Sequence, residues 1–400
     1  MIIRLHGNQN IKHMRRYFLA VILNLLVVSG IAQDNYFDGL NRFAFRIFKQ
    51  EFRQNMNFIF SPLLLEGNFI PMYLASRGFT HMQVEYEFGF PADYSQFKAD
   101  AKMLGKILYS NNNFSTRVES FMGVFLEDSL RSKVRKSFMQ ANDSLNLDTI
   151  VFVDMTRTGR EVQDSLNRFI RHSKIQLLPK PLFGLSRLRG GILLASSAFF
   201  SGNWERNFTA IYRAPFYLDK YGRKTKYIDY LTVSGYFKFV DGPDYQVIEI
   251  PYENNQLSLM IILPHGNYNL SELEQKINYD DYTLVTGGLS LQRLRLFLPI
   301  LSLKSKFDFK NVIAKDIPNV FKPGANFTQM VRKLVWIDGV YQSVEFKIRP
   351  EQMIPLRRYF DFQQEAQLNR IIFINHPFIF LIRDNLTNVI LFMGCIYKPV

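Results

Sequence analysis

"FINHPFIFLIRDNLTNVILFMGCIYKP", Phe373 to Pro399, holds two short apolar runs parted by Arg383-Asp-Asn-Leu-Thr387. Runs of this length, rich in Ile, Phe, Leu and Val and bounded by turn residues, have the pattern of buried strands. The pair predicts a hairpin close to the C-terminus. It also contains the chain's one cysteine, Cys395. With a single thiol there is no intramolecular disulfide, and the core must hold the fold unaided. Within an apolar strand Cys395 reads as a packed core residue and not as a reactive thiol.

Working outward, "GILLASSAFF", "LSLMIILP" and "LRLFLPIL" read as further buried strands, while "FIRHSKIQLL" and "NYNLSELEQKI" carry helical spacing of apolar residues. Helices precede and separate strands without regular βαβ alternation, which favours an α+β fold. At the N-terminus, Arg4, Lys12, Arg15 and Arg16 precede an apolar run from Tyr17 to Val28 and then Ser29-Gly-Ile-Ala32. Basic, apolar and small residues in that order predict a secretory signal, residues 1–32, cleaved after Ala32. The run is short for a membrane anchor, no later stretch predicts a membrane span, and Met14 offers an alternative start. Residues 33–400 contain no Ser/Gly linker, charge block or internal repeat and are read as a single domain, long enough to bury a large core.

The chain carries a formal charge of +14. A basic secreted protein suits sulfated glycans or anionic surfaces. Its densest basic cluster, Arg131, Lys133, Arg135 and Lys136, fits one solvated face of a short helix equally well. No basic-aromatic stripe or nucleic-acid motif is present, so a nucleic-acid partner is not expected. Beyond residue 32 only His81, His172, His265 and His376 remain. There is no HExxH pair, GxSxG elbow, glycine-rich phosphate loop or paired-cysteine site. No enzyme activity, metal or cofactor is expected. Sequons at Asn113, Asn142, Asn207, Asn269, Asn326 and Asn385 mark candidate surface positions for N-glycosylation.

Four segments, taken in order, resemble the serpin family of serine protease inhibitors. "NFIFSPLLLEGNFIPMYLASRGFT", Asn57 to Thr80, is similar to the family's N-x-F-x-S-P segment and its helix. "ILLASSAFFSGNWERNF", Ile192 to Phe208, resembles the strand ending in G-x-W. "IEIPYENNQLSLMIILP", Ile248 to Pro264, is close to L-P-Y-x-x-x-x-L-S-M-x-I-x-L-P, and Phe373 to Pro399 resembles the C-terminal signature. The resemblance covers about residue 35 to the end. It implies three β-sheets, surrounding helices and an exposed reactive loop, here at about 343–372, in a monomer. The overall texture resembles divergent secreted serpins of insects.

In inhibitory members a protease cuts the loop, whose N-terminal part then inserts into the central sheet and drags the attached protease with it. The family's hinge, E-E-G-T-E-A-A-A-A-T, has small side chains for that purpose. Aligned from the strand side, the hinge becomes Ser343, Val344, Glu345, Phe346, Lys347, Ile348, Arg349 and Pro350, in which bulky residues and a proline replace the small run. Overpacking costs about 1–3 kcal/mol per site, and a proline forfeits a ladder hydrogen bond. The clean alternation also admits the opposite reading, a strand well made to pair. At the polar cluster that steadies the opening sheet, the same matching retains Ser61 and places Leu64, Ser196 and Arg332, so the cluster's hydrogen bonds are expected to be lost or changed. Counting forward from the hinge puts the scissile bond at Arg357-Arg358, bait for a trypsin-like protease, whereas counting back from Pro377 puts it near Ala366. The expectation is a secreted, non-inhibitory or weakly inhibitory member that binds an extracellular partner: a protein, a glycan or a small hydrophobic ligand. The alternative is a suicide-substrate inhibitor of a trypsin-like serine protease.

Overall fold

The computed structural model describes residues 36–52, 56–110, 116–147, 149–172, 188–219, 222–265, 270–350, 356–357 and 370–399. The expected signal, residues 1–32, lies outside the described residues.

Helix α1, Tyr36–Glu51, opens the described chain and buries Leu40, Phe43, Ala44, Ile47 and Phe48 along one stripe. Strand β1, Phe58–Phe60, leads into α2, Pro62–Gly67. Ser61 caps α2 by accepting from the Leu64 N–H, and Pro62 supplies a preset first turn. Helices α3 (Ile70–Ala75), α4 (Gly78–Phe88) and α5 (Tyr94–Ser110) follow. Strand β2 is Thr116–Glu127, α6 is Lys136–Asp143, β3 is Thr149–Val153 and α7 is Gly159–His172. Strands β4 to β8 are Gly191–Gly202, Ala210–Tyr217, Thr225–Asp241, Tyr245–Pro251 and Leu257–Pro264. Helices α8 (Leu270–Lys276) and α9 (Tyr279–Thr286) precede β9 (Ser290–Pro299) and β10 (Leu301–Asp308). After α10, Lys310–Ile313, come β11 (Trp336–Ile348), β12 (Leu356–Arg357), β13 (Arg370–Phe373), β14 (Phe378–Asp384) and β15 (Ile390–Ile396).

The expected C-terminal hairpin is β14 and β15, antiparallel and buried throughout. Cys395 is fully buried, and burial pushes its thiol well above the ordinary range, which keeps it a neutral packing residue. Gly394 is required by close approach: a Cβ there would collide with the Phe58 carbonyl of β1.

The α+β fold stands, but the strands form two hydrogen-bonded networks where three sheets were expected. One runs β10-β11-β4-β2-β3. The other joins ten strands because β6 is 17 residues long. It pairs with β5 over residues 225–232, with β9 over 230–239 and with β7 over its last residues, 238–241. One continuous strand thus fuses two of the expected sheets. On one face of the five-stranded sheet, α7 seats Val162, Leu166 and Ile170 over Phe121, Phe125 and Leu193. The other face packs on the main core with α1, α2 and the C-terminal hairpin.

Candidate functional site

The five-stranded sheet is tied to α2 by a buried polar cluster. Ser61 N donates to Gln342 Oε1 at 2.7 Å, and Gln342 Nε2 donates to the Ser61 carbonyl at 3.0 Å and to Ser196 Oγ at 3.2 Å. Ser61 Oγ donates to the Leu391 carbonyl at 2.6 Å. Ser61, Ser196 and Gln342 are all at most 1% exposed. Such buried amides and hydroxyls are stable only when fully partnered, so the cluster locks β11 and β4 to each other and to the helix beneath.

Gln342 therefore joins Ser61 to Ser196, and the hydrogen bonds expected to be lost are made here by an amide. Leu64 contributes only its N–H to Ser61 Oγ, its side chain being core. Arg332 does not join them. It is exposed, ahead of β11, and the place in the cluster assigned to Arg332 from the sequence is taken by Gln342, ten residues further along. The signal was strand parity: Gln342, Val344, Phe346 and Ile348 share the inward face, and only Gln342 among them is polar.

That shift also moves the hinge. Ser343 to Ile348 are a resident strand and not a loop, paired antiparallel to β10 and, as far as Lys347, parallel to β4. Val344, Phe346 and Ile348 are buried, with Phe346 stacked on Phe380 at 4.9 Å and close to Phe200 at 5.8 Å. On the other face Glu345 bridges Lys304 at 3.0 Å and Lys347 at 2.9 Å. Burial pushes the Glu345 carboxyl up, but hydrogen bonds from Lys347 and Lys304 outweigh it and leave its pKa below the ordinary value. The alternation is that of a strand made to pair, so the overpacking argument does not apply to these residues. Arg349 and Pro350 leave the sheet beside Gly202 and Asn203, lining a cavity of about 290 Å³.

Beyond Pro350, Leu356 and Arg357 are described: they run parallel to Ile211 and Tyr212 on the free edge of β5. Arg358 and Ala366 lie outside the described residues. The chain re-enters at β13, paired with β9. Of the sequons, Asn113 and Asn269 also lie outside the described residues. Asn207 is exposed. Asn142 is 3% exposed within α6, which removes it as a surface acceptor. Asn326 is half-buried, with Oδ1 accepting from Thr328, and Asn385 Nδ2 is engaged by Asn255. Among the described residues no group of three metal-ligating side chains occurs, and no helix is long and apolar enough to cross a membrane.

A five-stranded sheet whose strand β11 ends at Ile348, tied by a buried polar cluster to α2, and a chain that rejoins the larger network at β13 fit the sequence resemblance. The family model Serpin (serine protease inhibitor) matches residues 38–399. The chain belongs to the serpin family, whose members are protease inhibitors or non-inhibitory relatives and not enzymes. It is 24% identical to neuroserpin of Mus musculus, over 86% of this chain and 87% of that protein. An uncharacterized serpin-like protein of Methanosarcina acetivorans is 25% identical over 92% and 88%. The fold matches uncleaved ovalbumin with a TM-score of 0.78 at 19% identity, covering 90% of this chain and 99% of that one. It matches thyroxine-binding globulin in complex with thyroxine at 0.77 and 15% identity, covering 90% and 98%.

Proposed function

We propose that this chain is a secreted serpin whose loop is cut without trapping the protease, and that it acts by binding an extracellular partner. The supporting observation is the composition of the segment that would have to insert. Insertion means opening the ladder between β11 and β4, where eleven residue pairs run from Trp336–Gly191 to Lys347–Ser201. The residues available are those that follow Ile348: "RPEQMIPLRRYF", Arg349 to Phe360. A strand sends alternate residues to opposite faces. One choice turns Met353, Pro355, Arg357 and Tyr359 to the core; the other turns Gln352, Ile354, Leu356, Arg358 and Phe360. Either choice puts an arginine against an apolar interior, which is costly without a buried partner. Pro355 also lacks a ladder donor.

The completed polar lock favours the alternative, a working suicide-substrate inhibitor, because it is the device an openable sheet needs. The scissile bond separates the two further. Moving the register ten residues carries the forward count from Arg357 to Gln367, next to the Ala366 reached by counting back from Pro377. A cut near Ala366 suits a protease that accepts small residues; a cut at Arg357 or Arg358 suits a trypsin-like one. Incubating the protein with a trypsin-like and an elastase-like protease, followed by a denaturing gel and fragment masses, decides both points. Cleavage without a covalent complex is expected, and a complex band of summed mass with either protease would refute the proposal.

A further inference from the structure

The chain that leaves β11 meets one short stretch of the fold twice. Arg349 and Pro350 line a cavity with Gly202 and Asn203, and Leu356 and Arg357 pair with Ile211 and Tyr212. Asn207 stands midway, four residues beyond Asn203 and four before Ile211. Four residues of chain reach at most about 14 Å, so both contacts lie within that distance of it.

Asn207-Phe-Thr209 is a sequon, and its neighbours fix how it is presented. Phe208 is buried against Trp204, with ring centroids 5.5 Å apart. Thr209 N donates to the Thr232 carbonyl of β6 at 2.9 Å, and Thr209 Oγ1 donates to the same oxygen at 3.3 Å. Arg206 lies against Gly235 on the same strand. Asn207 itself is exposed in irregular chain, and its side chain has no hydrogen bond to a described residue. Of the four described sequons it is the one that is exposed. The segment is anchored on both sides, and the amide points out of it beside the free edge of β5.

We propose that Asn207 carries an N-linked oligosaccharide that stands beside the loop and shields the Arg357-Arg358 bond from trypsin-like proteases. The proposal rests on the secretion proposed above, because the donor, an oligosaccharide on a lipid diphosphate, is met on entry to the secretory path. In the transfer Asn207 Nδ2 bonds to the anomeric carbon of the sugar chain. The carbon–oxygen bond to the diphosphate breaks, the lipid diphosphate leaves with the electron pair, and one amide proton passes to a base of the transferase. Transfer precedes folding, so the Thr209 hydroxyl is still available to it. The shield works by excluded volume. A protease closes around extended residues on both sides of the bond it cuts, so β12 must first leave the edge of β5. A bulky, hydrated sugar chain fills the space beside that edge.

The test uses the full chain expressed in eukaryotic cells and collected from the medium. Enzymatic glycan removal in heavy-oxygen water turns an occupied asparagine into labelled aspartate, and peptide masses should find the label at Asn207. Native protein, protein deglycosylated without unfolding, and the variant Asn207→Gln are then digested with trypsin while fragment masses are followed in time. Loss of the sugar by either route should speed cleavage at Arg357-Arg358 severalfold and leave cuts elsewhere unchanged. Thr209→Ser keeps both the sequon and the hydroxyl, and it should keep the label and the slow cleavage. A bare Asn207 in the secreted protein, equal cleavage with and without the sugar, or equal acceleration at every cut site overturns the proposal. Retention of the chain inside the cells overturns it together with the secretion on which it rests. A covalent complex with trypsin refutes only the reading that the loop is cut without trapping, and the slower cleavage of the glycosylated form still tests the shield.

Discussion

At the scale of single residues, two buried polar groups carry measurable consequences. Gln342→Ala would leave Ser61 N without its acceptor and Ser196 Oγ without its amide donor. The loss should be about 1–3 kcal/mol, read from denaturant unfolding, with β11 loosened from β4 first in hydrogen exchange. No loss would mean that the lock does not hold the sheet. Glu66 in α2 is a buried carboxyl that accepts from the Tyr36 hydroxyl, while its Oε2 has no partner. Burial raises its pKa well above the ordinary value, the Tyr36 bond lowers it in part, and Glu87, itself paired with Arg46, raises it again. Tyr36 also feels the charge of Asp100. A carboxyl held protonated in the fold but ionised when unfolded makes stability greatest below its unfolded pKa of about 4.3. Stability then falls as pH climbs toward the folded pKa. Glu66→Gln should flatten that decline, and an unchanged profile would rule it out. Gln342 was missed in the sequence because the register was fixed from one side only; inward parity would have marked it as the polar member of an apolar row.

Among the elements, β12 is the one that responds to a small change. Leu356 and Arg357 lie along the edge of β5, and a strand edge held by so few pairs opens readily. Leu356→Pro puts a residue with no N–H into that short pairing, where proline is disfavoured. Losing one or two kcal/mol raises the open population about 5–30-fold, and cleavage follows that population when closing is fast. Trypsin should then cut after Arg357 or Arg358 severalfold faster, while cleavage elsewhere stays constant; an unchanged rate would show that β12 does not protect the site. The strands themselves were legible: the C-terminal hairpin, β4 and β8 are continuous apolar runs, and buried strands announce themselves that way. The boundary between β11 and the loop was not. "SVEFKI" alternates as any strand does, and nothing local says whether it already has neighbours or is waiting for them. The neighbours, β10 and β4, are distant in sequence.

For the whole molecule, the decisive quantity is whether the central sheet can gain a strand. The sheet is closed along the β11–β4 seam, with the Gln342 lock midway and Phe346 wedged between Phe200 and Phe380. Opening it loses that ladder and those ring contacts. Only a strand that replaces both brings a net gain, and each oversized group would cost about 1–3 kcal/mol. Arg349 to Phe360 offers two prolines, two adjacent arginines and two aromatic rings. The cut loop should therefore stay outside the sheet, and the cleaved protein should melt where the intact one does, within about 4 °C, the shift that ~1 kcal/mol produces in a domain of roughly 200 residues. A sharp upward jump in melting temperature after cleavage would mean that the segment inserts despite its composition. A designed comparison isolates the cause: replacing Met353 to Arg358 with small residues should let the same sheet accept its loop. That variant, once cut, should show the jump that the natural sequence lacks.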